Sequence, residues 1–189
     1  SDSLIVLPKN SGLNEVSSEL LALPNKKITV RGEDVTLLVE KLSQKGKKCV
    51  GLTGEDLYFE YKLKNPLGGS GVLARVPWKS KEGNLFPRPS LCLLGPQGKK
   101  LKDLGGTLVV AVNSKYEKTA ERYLKMLGTK GYAFEMLLLK GATEEAAKVG
   151  LADLVVDIVL SGRSAQEAGL RVYDRLMESD AVLVGVKEC

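Results

Sequence analysis

The sequence of 189 residues contains no histidine. That absence excludes Ser-His and Cys-His nucleophilic catalysis and every histidine-ligated metal site at the outset. Cysteine is scarce: Cys49, Cys92 and Cys189 are an odd number without metal-ligand spacing, which suits a reducing compartment better than a disulfide scaffold. Aromatic residues make up 5% of the chain, thin for a protein that stacks on single-stranded bases. No apolar run approaches the roughly 18 residues needed to span a bilayer. Leu4-Ile5-Val6-Leu7 is too short for a signal peptide and lacks its basic lead. The expected setting is cytoplasmic, with no membrane partner.

What is present describes an ordinary globular protein, 43% hydrophobic and 27% charged, long enough for one domain or two small ones. The net charge of +5 suits polyanionic ligands, nucleotide phosphates and nucleic acid alike. The lysines are dispersed, however, over Lys26-Lys27, Lys45 to Lys48 and Lys99-Lys100-Lys102, which argues against a dedicated nucleic-acid face.

One stretch organises the chain, Gly150 to Gly169. Leu154 to Val159 is an apolar, β-branched run of strand length interrupted only by Asp157. Ser161-Gly162-Arg163-Ser164 turns the chain, and Ala165 to Ala168 start a helix that Gly169 stops. A buried strand feeding a hydroxyl- and glycine-bearing turn into a helix start offers unpaired amides and a dipole to an anion. Asp157 beside it could take a metal ion or sugar hydroxyls. The pattern equally fits serines that merely cap a helix, and on pattern alone both readings stand.

The remaining elements alternate. Leu4 to Leu7 reads as a strand followed by Pro8-Lys9-Asn10-Ser11-Gly12-Leu13, with Asn14 capping a helix through Leu23. Ile28 to Val30 is a strand, Leu37 to Leu42 a helix, and Cys49 to Leu52 a buried strand. Thr53-Gly54-Glu55-Asp56 then repeats the strand, turn and helix logic of the organising stretch. Residues 65–89, rich in glycine and proline, read as loops and short strands, and Gly68 to Gly71 lack the Gly-Lys-Ser/Thr of a Walker loop. Ser90 to Leu94 and Leu108 to Val112 are strands. Glu117 to Leu127 is an amphipathic helix with Gly128 after it. Phe134 to Leu139 is a strand, Glu144 opens a helix, and Leu170 to Tyr173 and Ala181 to Val186 are closing strands. Such alternation implies α/β architecture with mostly parallel sheets covered by helices.

The ordered string Gly150 to Asp153, Asp157, Ser161-Gly162-Arg163-Ser164 and Ala168-Gly169-Leu170 resembles the phosphoribosyl-pyrophosphate site of the ATP phosphoribosyltransferase family. The resemblance extends over nearly the whole chain. Pro8, Lys9 and Leu13 fit the family's first loop; Arg31, Asp34 and Val35 fit Arg-Pro-x-Asp-Ile/Val. Thr53-Gly54-Glu55-Asp56 fits Thr-Gly-x-Asp, Ser114-Lys115-Tyr116 fits Thr-Lys-Tyr/Phe, and Gly141 to Glu144 fit Gly-Ser-Val-Glu. The first-loop arginine is missing, Leu160 replaces an acid or serine, and Ala165 replaces a leucine.

The resemblance implies two lobes of periplasmic-binding-protein type with a ligand cleft between them. Lobe one would be residues 1–88 plus 170–189, and lobe two residues 89–169. It further implies attack by adenine N1 of ATP on phosphoribosyl pyrophosphate, the first step of histidine biosynthesis, with Mg²⁺ as cofactor. By it, Ser161, Gly162, Arg163 and Ser164 hold the 5′-phosphate, and Asp157 takes ribose hydroxyls or the metal. Asp157 and Lys9 are the expected catalytic residues; Arg31, Thr53, Gly54, Ser114, Lys115 and Glu144 line the cleft. The sequence ends soon after Val186, where family members continue into a further helix. That implies the short form of the enzyme, an oligomer completed by a subunit resembling histidyl-tRNA synthetase. The departures from the family pattern define an alternative, a catalytically impaired two-lobed phosphate- or nucleotide-binding protein of the same fold.

Overall fold

The computed structural model of the chain describes residues 3–9 and 13–187; Ser11, Gly12 and Cys189 lie outside them. In chain order the elements are β1 (Leu4–Pro8), α1 (Asn14–Leu21), β2 (Lys27–Val30), α2 (Val35–Gln44), β3 (Cys49–Gly54), α3 (Glu55–Lys64) and β4 (Ser70–Val76). They continue with β5 (Ser90–Pro96), β6 (Thr107–Asn113), α4 (Glu117–Gly128), β7 (Ala133–Leu139) and α5 (Thr143–Lys148). Last come β8 (Leu154–Val159), α6 (Arg163–Glu167), β9 (Leu170–Glu178) and β10 (Ala181–Val186).

The chain divides into two compact units, Ser1–Trp78 with Asp180–Cys189, and Lys79–Ser179. The boundaries expected from sequence, 88/89 and 169/170, therefore shift. Residues 170–178 were expected in the first lobe, but β9 hydrogen-bonds along β5 for its whole length. The loop ahead of β5 joins the same unit, because the Leu85 and Phe86 amides donate to the Leu160 carbonyl.

Each unit holds one five-stranded sheet, ordered β2-β1-β3-β10-β4 and β7-β6-β8-β5-β9. In the first, β1 is parallel to β2 and β3 while β10 runs antiparallel to β3 and β4. In the second, β6 is parallel to β7 and β8 while β5 runs antiparallel to β8 and β9. A single reversed strand thus occupies the same place in both sheets. The sheets are mixed rather than purely parallel, and β1-α1-β2-α2-β3-α3 has the same order as β6-α4-β7-α5-β8-α6. Parallel neighbours joined by helices place the loops after β1, β2 and β3 along one edge of the first sheet. The loops after β6, β7 and β8 do the same along the second.

Apolar runs became strands buried on both faces. Along β5, Leu91, Cys92, Leu93 and Leu94 are all essentially inaccessible, as are Leu154, Val155 and Val156 of β8. One face of the first sheet packs Val6 and Val182 against Val35 and Val39 of α2; the other gathers Ile5, Leu7, Leu13 and Leu52. Gly51 on β3 makes the first contact possible: a Cβ there would lie 2.5 Å from Val35. In α4, Ala120, Leu124 and Leu127 face inward, while Lys118 and Lys125 pair with Glu121 outside.

Several boundaries differ from the sequence expectations. Asn14 is the first residue of α1, not its cap, and the helix ends at Leu21, not Leu23. Gly128 lies inside α4, and the chain turns out at Gly131 with φ of 96°. β9 continues past Tyr173 to Glu178, because an edge strand tolerates the exposed Asp174, Arg175 and Glu178 that follow it. Among the described residues, no helix is long and apolar enough to cross a membrane.

Candidate functional site

The carboxyl edge of the second sheet gathers the chemistry. β8 carries Asp157 two residues before its end, inside a strand whose other side chains are apolar. Its carboxylate is largely enclosed, and both of its oxygens accept hydrogen bonds. Oδ2 accepts the Thr143 hydroxyl at 2.6 Å; Oδ1 accepts the Ile158 amide at 2.8 Å and the Asn113 side-chain amide at 3.5 Å. Burial pushes this carboxyl above its ordinary range, opposed by the hydrogen bonds from Thr143, Ile158 and Asn113 and by the charge of Lys115. Glu144 stands in the same field: burial first, then the charges of Asp157 and Glu145, push its carboxyl up as well. Burial holds both carboxyls toward protonation, and the charge of Asp157 adds to it at Glu144, a situation that a cation beside them would relieve.

The residues beside Asp157 come from the two neighbouring strand ends. Asn113 closes β6, and its Oδ1 accepts the Lys115 amide at 3.2 Å, so one side chain ties the Ser114-Lys115 turn to Asp157. Ser114 is half-buried and Lys115 exposed. After β7, Ala142 takes a left-handed conformation with φ of 55°, the one non-glycine residue with positive φ among the described residues. That turn delivers Thr143, 2% exposed, and Glu144 to the start of α5.

The turn after β8 bears on the choice between cap and cradle. The residue flanking α6 is Gly162, with φ of 76°, and no side chain caps the helix. Ser161 Oγ accepts the Arg163 amide at 3.3 Å. Ser161, Arg163 and Ser164 are exposed, and the first turn of α6 contains no acid. The corresponding turn of the first unit is different. α3 begins with Glu55 and Asp56, the Glu55 amide donates to the Asp180 carbonyl at 2.8 Å, and Glu55 pairs with Arg75. The Asp180 carbonyl and the negative charges of Glu55 and Asp56 make that helix start unfavourable for an anion, whereas the first turn of α6 carries no acid.

The first unit accordingly corrects one expectation. Thr53 does not line a ligand surface: it is fully buried, and its hydroxyl donates to the Gly32 carbonyl at 2.9 Å, bracing the loop after β2. Gly54 is buried and flanks α3 with an ordinary extended backbone. Lys9 and Arg31 are exposed cations at the ends of β1 and β2, where the Lys9 amide donates to the Val30 carbonyl at 2.8 Å. Asp157, Ser114, Lys115, Glu144 and Ser161 to Ser164 thus share one sheet edge; Lys9, Arg31 and Gly54 share another. Sequence reading missed two contributors, Asn113 and Thr143. The only signal for either was a polar residue at a strand end or helix start, which is also what a plain turn requires.

Residues 31–189 match the sequence profile of the family described as HisG, ATP phosphoribosyltransferase. An ATP phosphoribosyltransferase of Kocuria rhizophila is 28% identical over 194 aligned residues, covering 97% of this chain and 60% of its own length. One from Methanopyrus kandleri is 30% identical over 158 residues, covering 82% of this chain and 48% of its own. The chain thus spans 60% or less of the length of those curated relatives. Among solved structures, the ATP phosphoribosyl transferase (HisG:HisZ) complex from Thermotoga maritima aligns with a TM-score of 0.74 at 21% identity, covering 97% of this chain and 87% of that one. A periplasmic sulfonate-binding protein from Methylobacillus flagellatus aligns with a TM-score of 0.60 at 13% identity, covering 98% of this chain and 61% of that one. At those identities the structural likeness establishes the fold, which is of periplasmic-binding-protein type.

Proposed function

The chain belongs to the ATP phosphoribosyltransferase family, and from that premise we propose that it transfers phosphoribosyl from phosphoribosyl pyrophosphate to N1 of the adenine of ATP. This is the first step of histidine biosynthesis. The observation that carries the reading is the single sheet edge on which Asp157, Glu144 and Lys115 accompany an acid-free Ser-Gly-Arg-Ser helix start. The Ser161 and Ser164 hydroxyls, the first amides of α6 and Arg163 hold the 5′-phosphate. Asp157 accepts from the ribose hydroxyls, and Lys115 balances phosphate charge above it. Lys9 and Arg31 act as further phosphate-contacting cations.

In the reaction the adenine N1 lone pair forms the new bond to the anomeric carbon as the bond from that carbon to pyrophosphate breaks. The nucleophile is a ring nitrogen, so the lack of histidine is no obstacle. The protein's contribution is alignment of two substrates and stabilisation of departing charge. Asp157 and Glu144 are hard oxygen donors, and their burial fits a Mg²⁺ ion that binds through one or two carboxylates plus substrate phosphates. Among the described residues no three acidic or cysteine side chains cluster, in keeping with an ion held partly by substrate. When bound, it neutralises charge on the leaving pyrophosphate.

A cytoplasmic, oligomeric enzyme working with a histidyl-tRNA-synthetase-like subunit accompanies this reading. The Thermotoga complex supports the partner by its description, and the buried free thiols Cys49 and Cys92 suit a reducing compartment. The test is pyrophosphate release from ATP, phosphoribosyl pyrophosphate and Mg²⁺, with and without that subunit. Release is expected to require both substrates and to fall by about tenfold or more in Asp157→Asn, the loss of a hydrogen bond to a charged group. Binding of phosphoribosyl pyrophosphate without any release, alone or with the subunit, would instead identify the impaired binding protein.

A further inference from the structure

We infer that Thr143 is a positioning residue that fixes the orientation of Asp157, and through it the affinity for phosphoribosyl pyrophosphate. The inference rests on the reading of Asp157 given above. Two observations carry it. Thr143 is 2% exposed and its hydroxyl donates to Asp157 Oδ2 at 2.6 Å, a bond formed inside the protein rather than in open solvent. The residue before it, Ala142, holds a left-handed backbone that a residue with a Cβ adopts only under strain. The chain thus accepts strain where it brings Thr143 onto the acid.

The geometry says what the hydroxyl does. A carboxylate offers about four acceptor directions. On Asp157, Ile158 and Asn113 take those of Oδ1 and Thr143 takes one of Oδ2. A single direction on Oδ2 remains for a ligand. The Thr143 bond sets the rotation of the carboxyl group about its terminal torsion, which is broad when unconstrained. Thr143 therefore presents one oxygen in one direction, and Asp157 meets its ligand through that oxygen alone. Valine would keep the shape of the site and release the oxygen.

The experiment is calorimetric titration of phosphoribosyl pyrophosphate with Mg²⁺ into the wild-type chain, Thr143→Val, Thr143→Ser, Asp157→Asn and the Thr143→Val/Asp157→Asn double variant. Thr143→Val is expected to weaken binding about tenfold, and Thr143→Ser, which keeps the hydroxyl, to bind within about threefold of wild type. In the Asp157→Asn background the valine should cause no further loss, because a purely structural role for Thr143 would add its effect there too. Thr143→Ala serves equally should valine disturb the packing. Wild-type affinity in Thr143→Val alongside weakened Asp157→Asn would overturn this inference and leave the reading of Asp157 intact. Unchanged affinity in Asp157→Asn would overturn both.

Discussion

Ala142 is the residue at which the site's strain is most visible. An L-residue at φ of 55° is disfavoured by contact between its Cβ and the following carbonyl, and glycine there has no Cβ. Ala142→Gly is expected to raise unfolding stability by roughly 1 kcal/mol, read as a higher denaturation midpoint in urea. A lower midpoint would mean that this backbone is not held left-handed. Gly162 is the complementary case: its φ of 76° suits glycine, and a Cβ would meet Leu85 at 3.0 Å. The sequence showed Gly162 as the hinge of its turn because it stands between two serines after an apolar strand. It could not show Thr53 as buried, since Thr-Gly before an acidic helix start reads the same whether the hydroxyl faces a ligand or the Gly32 carbonyl.

At the scale of elements, β4 and β9 were the least legible and are held by polar contacts. β4 arises from a glycine-rich stretch and is anchored by Glu40 of α2, which accepts the Ser70 hydroxyl at 2.5 Å, the Ser70 amide at 3.2 Å and the Tyr61 hydroxyl of α3 at 2.6 Å. Gly68 lets the strand pass, since a Cβ there would lie 2.4 Å from the Glu40 carboxylate. None of this has a periodicity that a sequence could display, whereas the apolar runs of β5, β6 and β8 do. Burial pushes the Glu40 carboxyl up, but the bonds from Ser70 and Tyr61 and the charge of Lys62 outweigh it and hold the carboxyl below its usual range. A folded-state value below the unfolded one stabilises the protein above the unfolded value, about pH 4.3, and is lost as pH falls through the lower folded one. Glu40→Gln should therefore cost about 1–3 kcal/mol at pH 7, and the gap from wild type should narrow below about pH 4. A constant gap in denaturant midpoints across that range would contradict the account of the α2, α3 and β4 junction.

For the whole molecule, one architecture appears twice with different chemistry. Both units follow the same strand order with one reversed strand, yet the helix start after β3 is filled by Glu55, Asp56 and Asp180 while that after β8 is open. The alternation of elements was legible from apolar periodicity, and the two-unit division came mainly from resemblance, with weaker support from the paired strand-turn-helix segments at Thr53 and Ser161. The boundaries drawn from that resemblance, 88/89 and 169/170, differ from the observed units, because β9 hydrogen-bonds along β5 and stays in the second unit. The central claim is that the second unit's turn, Ser161 to Ser164, binds the 5′-phosphate of phosphoribosyl pyrophosphate. Calorimetric titration of that compound into wild type and folded Gly162→Val tests it most directly. The account predicts saturable binding by wild type and a loss of about tenfold or more in the variant, whose added side chain strains the turn and blocks phosphate from the amides. Superimposable isotherms from the two folded proteins would contradict it.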